Sequence, residues 1–166
     1  MRTAVALGSN LGDRMANLRA ARDAISNVTD VSPPVVASAV YETDPVGCEP
    51  GAGKFLNAVV EFEYNGDPSA LLASLGRIEA SLGRAPNHER NTSRNIDLDL
   101  LYCDDLRIHN AQLQIPHPRM HLRKFVLRPL DDIRRDLILP GRAKTVHDLL
   151  AQLDESAKVN RLVDNW

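Results

Sequence analysis

The chain has 166 residues, enough for a single domain with a substantial core. A hydrophobic share of 43%, a charged share of 25% and a net charge of −2 are typical of globular proteins and argue against general nucleic-acid binding. Cys48 and Cys103 lack CxxC spacing, and no apolar run approaches the roughly 18 residues of a bilayer span, so we expect a cytoplasmic protein without zinc or a membrane segment.

The first half of the chain predicts strands and helices in alternation. A short buried strand ends at Gly8 in "TAVALGSN", and Asp13 can cap the helix that follows because its carboxylate accepts from free backbone amides. "SPP" at 32–34 predicts a chain break, and a strand follows over about 35–41. A Gly- and Pro-rich loop then leads to another strand, "FLNAVVEFEY" at 55–64.

The second half opens with a helix from Ser69 to about Leu82, where Pro68 suits the first helical position. A polar loop leads to a fourth strand over about 95–102. The order β-α-β-β-α-β predicts an α+β fold with a ferredoxin-like core, a four-stranded antiparallel sheet with two helices on one face. C-terminal additions follow: "RKFVLRPLDDI" is expected to be partly helical and "TVHDLLAQL" helical, and the whole chain, 1–166, is expected to form one domain.

Two aspartates interrupt an apolar strand, in "RNIDLDLL" at 94–101. Residues i and i+2 of a strand share a face about 6.5–7 Å apart, so Asp97 and Asp99 point the same way while Ile96 and Leu98 face the core. Carboxylates at this spacing can ligate Mg²⁺ ions that also bind a phosphate chain. An ordinary strand with a wet face is the alternative, although Asp is a poor strand former. Spacing alone leaves both interpretations open.

Other polar side chains could contribute to a site, and each also has an ordinary explanation. Arg84 and Arg94 could bind phosphate oxygens or be solvated loop arginines. His117, between two prolines, and Arg123 could bind a phosphate or a nucleoside, although His117 taken alone favours a structural turn. Glu79 could add a third acidic group, but most helical glutamates are solvated.

Two further stretches have alternative interpretations. Phe55 could stack on a planar ring and Asn57 could bind an amide edge, or they could serve the core and the start of the strand. "GSNLGD" at 8–13 lacks the Walker Lys-Ser/Thr, so a tight strand-to-helix turn is the better interpretation. The chain contains no GxSxG, HExxH or CxxC motif, which gives no support to covalent catalysis or zinc chemistry.

Five motifs in order resemble the 6-hydroxymethyl-7,8-dihydropterin pyrophosphokinase family of folate biosynthesis. They are "LGSNLGD" near the start, Y-x-T-x-P-x-G at 41–47, "FLNAVV" at 55–60, R-x-x-D-L-D-L-L at 94–101, and PHP-x-M-x-x-R-x-F-V-L-x-P-L at 116–130. Together they extend over most of the chain, leaving about the last 30 residues without a motif.

The resemblance implies an ATP-dependent diphosphotransferase. Its reaction would transfer pyrophosphate from ATP directly to the hydroxymethyl group of the dihydropterin, giving AMP, with two Mg²⁺ ions and no covalent enzyme intermediate. A monomer without nucleic-acid or membrane partners is expected. By the family's motifs, Asp97 and Asp99 would bind the metal and act in catalysis with Arg84 and Arg94. The ATP-binding residues would be Glu79, Arg84, Arg94, His117 and Arg123. The pterin-binding residues would be Thr43, Asp44, Val46, Phe55, Asn57 and Phe125.

The chain departs from the family in its two long loops. Asn91 stands where the family usually has a Trp that folds onto the active site, and Asp44 replaces a frequent proline. These differences leave loop closure and the pterin preference open. An enzyme of the same fold that acts on a related pterin or another heterocyclic alcohol is one alternative. A ferredoxin-like module without catalysis is another.

Overall fold

One antiparallel sheet organises the chain, and the helices alternate with its strands. The computed structural model describes residues 1–45, 51–83, 93–154 and 158–166. No helix within these ranges is long and apolar enough to cross a membrane. The elements are β1 (Arg2–Ser9), α1 (Arg14–Ser26), β2 (Val31–Ala37), β3 (Val40–Thr43), β4 (Phe55–Tyr64), α2 (Pro68–Ser81), β5 (Asp97–Cys103), β6 (Ile108–His109), β7 (Gln114–Ile115), a 3-10 turn (Met120–Leu122), α3 (Lys124–Arg134), α4 (Val146–Ala151) and β8 (Val159–Val163).

The main sheet has the order β5-β1-β4-β3-β8, and β2 also pairs with β4. All of these pairs are antiparallel. The predicted α+β, ferredoxin-like core is therefore confirmed, and Asp13 caps α1 by accepting from the Ala16 amide at 3.0 Å. The predicted number of strands, four, was too low, because the C-terminal β8 also joins the sheet, beside β3.

The prediction of a chain break at "SPP" was wrong. Pro33 and Pro34 lie inside β2, where the pairing with β4 changes register between Ser32 and Val36. Proline, which has no amide hydrogen, is tolerated at such an irregularity. The strand expected over 35–41 is divided between β2 and β3, which meet β4 separately.

Helices cover both faces of the sheet. On the first face, α1 and α2 bury apolar residues such as Leu18 and Leu75 against β1, β4 and β5. On the second face, Val126, Leu127 and Leu130 of α3 pack on one end of the sheet with residues of α4. The sequence predicted the two helices on the first face, and the structure adds α3 and α4 on the second. The segment "RKFVLRPLDDI", expected to be partly helical, is helical from Lys124 onward, although it contains Pro129.

A register shift in β5 separates its polar end from its apolar end. Leu100 pairs with Val5 and Tyr102 pairs with Ala4, which leaves Leu101 as an extra residue. Leu101 and Tyr102 therefore both belong to the cluster under α3. A bulge of this kind re-aims the side chains that follow it. The aspartates before the bulge lie on the same second face, at the end that α3 leaves open.

Candidate active site

The predicted aspartates line a cleft at the open end of the second sheet face. This first cleft has an empty volume of about 550 Å³, including space open to solvent. It is lined by Gly8, Thr43, Asp44, Phe55, Asn57, Arg94, Asp97, Asp99, Arg123 and Phe125. The tertiary structure therefore brings together residues from four strands and the start of α3.

Each aspartate of the cleft is paired with an arginine. Arg94 Nη1 donates to Asp97 Oδ1 at 2.7 Å, and Arg123 Nη1 donates to Asp99 Oδ2 at 2.9 Å. The aspartate side chains are 29% and 34% exposed, so neither carboxylate is fully removed from water. This pairing and partial hydration explain how two charges are accommodated in an apolar strand.

Asn10 holds the segment that carries Arg94. Its Oδ1 accepts from the Arg94 backbone amide at 2.7 Å, and its own amide donates to the Arg94 carbonyl at 3.2 Å. Its Nδ2 donates to Ser93 Oγ at 3.0 Å. Sequence reasoning missed this residue. A signal for it was a short polar side chain directly after a buried strand, since Asn side chains often bind nearby backbone groups.

The opposite end of the cleft is polar at its floor and aromatic at its walls. Asn57 Nδ2 donates to Thr43 Oγ1 at 2.7 Å, and both residues are buried. Phe55 and Phe125 line the same space, and the Arg123 guanidinium lies 5.6 Å from the Phe125 ring centroid. Phe55 is only partly buried, so it belongs to the cleft more than to the core.

Gly8 forms part of the floor of this cleft and was missed as a site residue. The sequence interpretation ended the first strand at Gly8 and began a tight turn there, whereas β1 continues to Ser9, with Gly8 opposite Asn57 and Asp97. A Cβ atom at Gly8 would lie 3.3 Å from Asn57 Oδ1. A glycine inside a strand can indicate such a close approach.

A second cleft adjoins the first, and Asp99 lines both. The second cleft is lined by Leu72, Leu98, Asp99, Leu100, Asn110, Ala111, Gln112, Leu113, Gln114, His117 and Pro118. His117 Nε2 lies 3.9 Å from Asp99 Oδ2, and the His117 amide donates to the Leu101 carbonyl at 2.7 Å. Burial lowers the pKa of His117, only partly offset by Asp99, so the imidazole is neutral at pH 7.

Glu79 supports the strand that carries the aspartates. Its Oε1 accepts from the Leu98 amide at 2.7 Å, between the two acidic residues. Asp44 lies at the mouth of the first cleft, with its carboxylate 3.7 Å from Lys54 Nζ. The predicted site residues Arg84 and Val46, and the loop residue Asn91, lie outside the described residues.

The donor set of the cleft suits a divalent cation that is also bound by phosphate. Within the described ranges, no group of three or more His, Cys, Asp or Glu side chains could hold a metal on its own. Mg²⁺ commonly takes one or two carboxylates and completes its coordination with water and substrate phosphates. Asp97 and Asp99 fit that requirement.

Comparison with known sequences identifies close relatives. The family profile described as 7,8-dihydro-6-hydroxymethylpterin-pyrophosphokinase matches residues 4–135. The chain is 44% identical over 129 residues to 2-amino-4-hydroxy-6-hydroxymethyldihydropteridine pyrophosphokinase of Bacillus subtilis, covering 78% of this chain and 75% of the relative. The protein of the same name from Haemophilus influenzae is 38% identical over 148 residues, covering 89% and 90%.

Solved structures share the fold. The wild-type HPPK-DHPS of Plasmodium falciparum with pteroate has a TM-score of 0.70 at 14% identity, and the match covers 91% of this chain. This chain spans 42% of the length of that protein. At this level of identity, the likeness concerns the fold alone.

Proposed function

Because the chain belongs to the 7,8-dihydro-6-hydroxymethylpterin-pyrophosphokinase family, whose members are ATP-dependent enzymes of folate biosynthesis, we propose that its acceptor is 6-hydroxymethyl-7,8-dihydropterin. The acceptor hydroxyl oxygen attacks the β-phosphorus of ATP. The bond from that phosphorus to the oxygen bridging to the α-phosphate breaks, and AMP leaves with the bridging oxygen. The hydroxyl proton passes to solvent, and no covalent bond to the protein forms.

The observation that carries this proposal is the position of the arginine-paired aspartates between two clefts. One cleft has a polar floor and aromatic walls, and the other has leucines and side-chain amides. Asp99 lines both clefts, so ligands in the two clefts would meet at this carboxylate, with Asp97 beside it in the first cleft. Transfer between two bound substrates needs such a meeting point, because catalysis by positioning requires the reacting atoms to be held close together.

The first cleft suits the pterin. Phe55 and Phe125 offer apolar ring faces to a planar heterocycle, while Asn57 and Thr43 present hydrogen-bonding groups to its amide edge. In this proposal Asp44 and Val46 complete the pterin-binding residues. Because Gly8 has no side chain, the pterin ring can approach the sheet closely at this position.

The second cleft suits the nucleoside of ATP, with its triphosphate extending towards the carboxylates. Leu72, Leu98 and Leu113 provide apolar surface, and the neutral His117 can bind a hydroxyl or a phosphate oxygen. Arg94 and Arg123 are already within hydrogen-bond reach of the aspartates, so they are close to where the phosphates would lie. Glu79 and Arg84 remain ATP-side residues in this proposal.

Asp97 and Asp99 would hold two Mg²⁺ ions, which would neutralise phosphate charge and help align the acceptor oxygen with ATP. The protein's own contribution is orientation, charge neutralisation by arginine and exclusion of water. We further propose that residues 1–166 act as one domain and as a monomer, which sedimentation analysis can test.

A coupled assay for AMP tests the reaction. The purified chain should form AMP only when ATP, the dihydropterin and Mg²⁺ are all present, and chelation by EDTA should abolish the signal. Omitting the dihydropterin separates transfer from ATP hydrolysis. A panel of related pterins and other heterocyclic alcohols tests the acceptor. Failure to form AMP with the full mixture would refute the proposed function, and equal rates without Mg²⁺ would refute the metal requirement.

A further inference from the structure

A buried tyrosine hydroxyl connects the two walls of the first cleft. Tyr41 is 1% exposed, and its Oη donates to both carboxylate oxygens of Asp132, at 2.9 and 2.8 Å. Tyr41 lies in β3, two residues before Thr43 and directly opposite Asn57 of β4. Asp132 lies in α3, whose first turn carries Phe125. The hydrogen bond therefore ties the sheet side of the cleft to the helix that forms its other side.

Two arginines hold the same carboxylate. Arg161 Nη1 of β8 lies 3.2 Å from Asp132 Oδ1 and also donates to Tyr41 Oη at 3.1 Å. Arg128 Nη2 lies 3.4 Å from Asp132 Oδ1. The two guanidinium carbons lie 5.9 and 5.5 Å from the Tyr41 ring centroid. With donors from β3, β8 and α3 around it, the carboxylate has one preferred position, which fixes α3 relative to β3.

We infer that Tyr41 and Asp132 are positioning residues for the acceptor, an inference that rests on the proposed function. Their hydrogen bond sets the separation between Thr43 and Asn57 on the sheet and Phe125 on α3. The width available to a planar ring in the first cleft depends on that separation. Neither residue lines the cleft, so both act through the residues that do. The second cleft lies beside β5 and should be little affected.

The far end of α3 offers a matched control. Tyr102 is 2% exposed, and its hydroxyl donates to Glu61, which also accepts from Arg134 Nε at 2.8 Å. Burial and Glu61 raise the pKa of Tyr102, so its hydroxyl is a protonated donor at neutral pH, as that of Tyr41 is. Tyr102 of β5 thus supports a β4 carboxylate that binds Arg134 of α3, but it lines neither cleft.

Steady-state AMP formation by the full chain, with each substrate varied in turn, tests the inference. Tyr41→Phe should raise the KM for the dihydropterin about tenfold, because a small displacement of a binding wall is costly, and should change the KM for ATP less than about twofold. Tyr102→Phe should lower the melting temperature and leave both KM values unchanged. A purely structural role for Tyr41 would make the two variants alike.

Asp132→Ala provides an independent variant. Arg128 retains Asp131 at 3.1 Å and Arg161 retains Asp164 at 2.6 Å, so neither arginine loses its only carboxylate. Asp132→Ala should raise the dihydropterin KM selectively, and adding Tyr41→Phe should raise it no further, because the two residues act as a unit. If Tyr41→Phe does not fold, the dihydropterin KM of Asp132→Ala tests the inference by itself.

The outcomes separate this inference from the proposed function. An active wild-type chain whose dihydropterin KM does not change in the folded variants would overturn the inference alone. Equal rises in both KM values, or additive effects in the double variant, would also overturn it. A wild-type chain that makes no AMP would overturn the proposed function and this inference together.

Discussion

Asp97 and Asp99 are accommodated in β5 because each carboxylate meets a guanidinium and keeps partial contact with water. Arg94 and Arg123 suit phosphate oxygens as well as carboxylates, since their planar forks match both. Binding of ATP would therefore allow the arginines to exchange a carboxylate partner for a phosphate. In the unliganded protein the same arginines limit repulsion between the two acidic side chains.

The charge of Asp99 should be essential for turnover. Asp99→Asn keeps the side-chain volume but removes the charge, so we expect kcat for AMP formation to fall at least about 100-fold. Circular dichroism should show an unchanged fold. Asp105→Asn, in the exposed turn after β5, is the control and should retain wild-type kcat. A comparable kcat in both variants would contradict a metal or phosphate role for Asp99.

Replacing two glycines by alanine should change different properties, the KM for the dihydropterin at Gly8 and the stability at Gly76. Gly8→Ala would bring a methyl group to 3.3 Å from Asn57 Oδ1 and should raise the KM for the dihydropterin. Gly76→Ala, on the exposed side of α2 with nothing within 4 Å, should increase the free energy of unfolding by about 1 kcal/mol and leave KM unchanged. Urea denaturation and the AMP assay measure both effects. An unchanged KM in Gly8→Ala would argue against its place at the floor of the site.

At the scale of elements, α3 decides how much of the second sheet face stays open. Its apolar side packs on β4 and β5 beyond the bulge at Leu101, while its first turn reaches the cleft. The helix therefore both closes the core and supplies Phe125. Pro129 lies within α3 and is buried, so the loss of one helical hydrogen bond is offset by packing.

The short α4 should depend on its N-terminal cap. Thr145 Oγ1 accepts from the Asp148 amide at 3.1 Å, and the Asp148 side chain accepts from the Thr145 amide at 3.1 Å. Thr145→Ala should lower the free energy of unfolding by about 1 kcal/mol, as measured by chemical denaturation. Thr145→Ser keeps the hydroxyl and should lose much less. Equal losses would indicate that the methyl group, rather than the cap, is responsible.

Trp166 should stabilise the attachment of β8. Its Nε1 donates to the Ser38 carbonyl at 2.8 Å, and Arg22 of α1 lies 5.0 Å from its ring centroid. Trp166→Phe removes the hydrogen bond and should lower the melting temperature, while Trp166→Ala also removes the ring and should lower it further. Thermal denaturation followed by circular dichroism gives the order. Identical melting of all three proteins would contradict this packing in solution.

At the scale of the whole molecule, the two clefts share Asp99, and Asp97 lines the first, so ligand binding should be coupled to Mg²⁺. A non-hydrolysable ATP analogue should bind the native chain and raise its melting temperature. The rise should be larger with Mg²⁺, because the metal reduces repulsion between the triphosphate and the aspartates. The Asp97→Asn, Asp99→Asn double variant is the comparison and should show a smaller effect of Mg²⁺. Equal shifts with and without the metal in the wild-type protein would contradict the coupling.

Local patterns were sufficient for much of the core. Alternation identified β5, the run "FLNAVVEFEY" identified β4, capping chemistry identified the start of α1, and the order of the elements predicted the ferredoxin-like arrangement. These features depend on neighbours within a few residues, which a single sequence contains. The motif order also identified the family, and with it the reaction class. The alternative of a module without catalysis is therefore wrong, since the chain belongs to a family whose named relatives are pyrophosphokinases.

Only the tertiary structure decided which distant residues support the site. Asn10 binds a segment 84 positions away, and Tyr41 binds Asp132 across 91 positions. Hydrophobic periodicity in the sequence does not predict such pairs, because their geometry depends on how the layers pack. The bulge at Leu101 and the placement of α3 have the same origin. The sequence by itself determined β1, β4, β5, the acidic pair and the family, whereas packing of α3 on the second face determined where a cleft could remain.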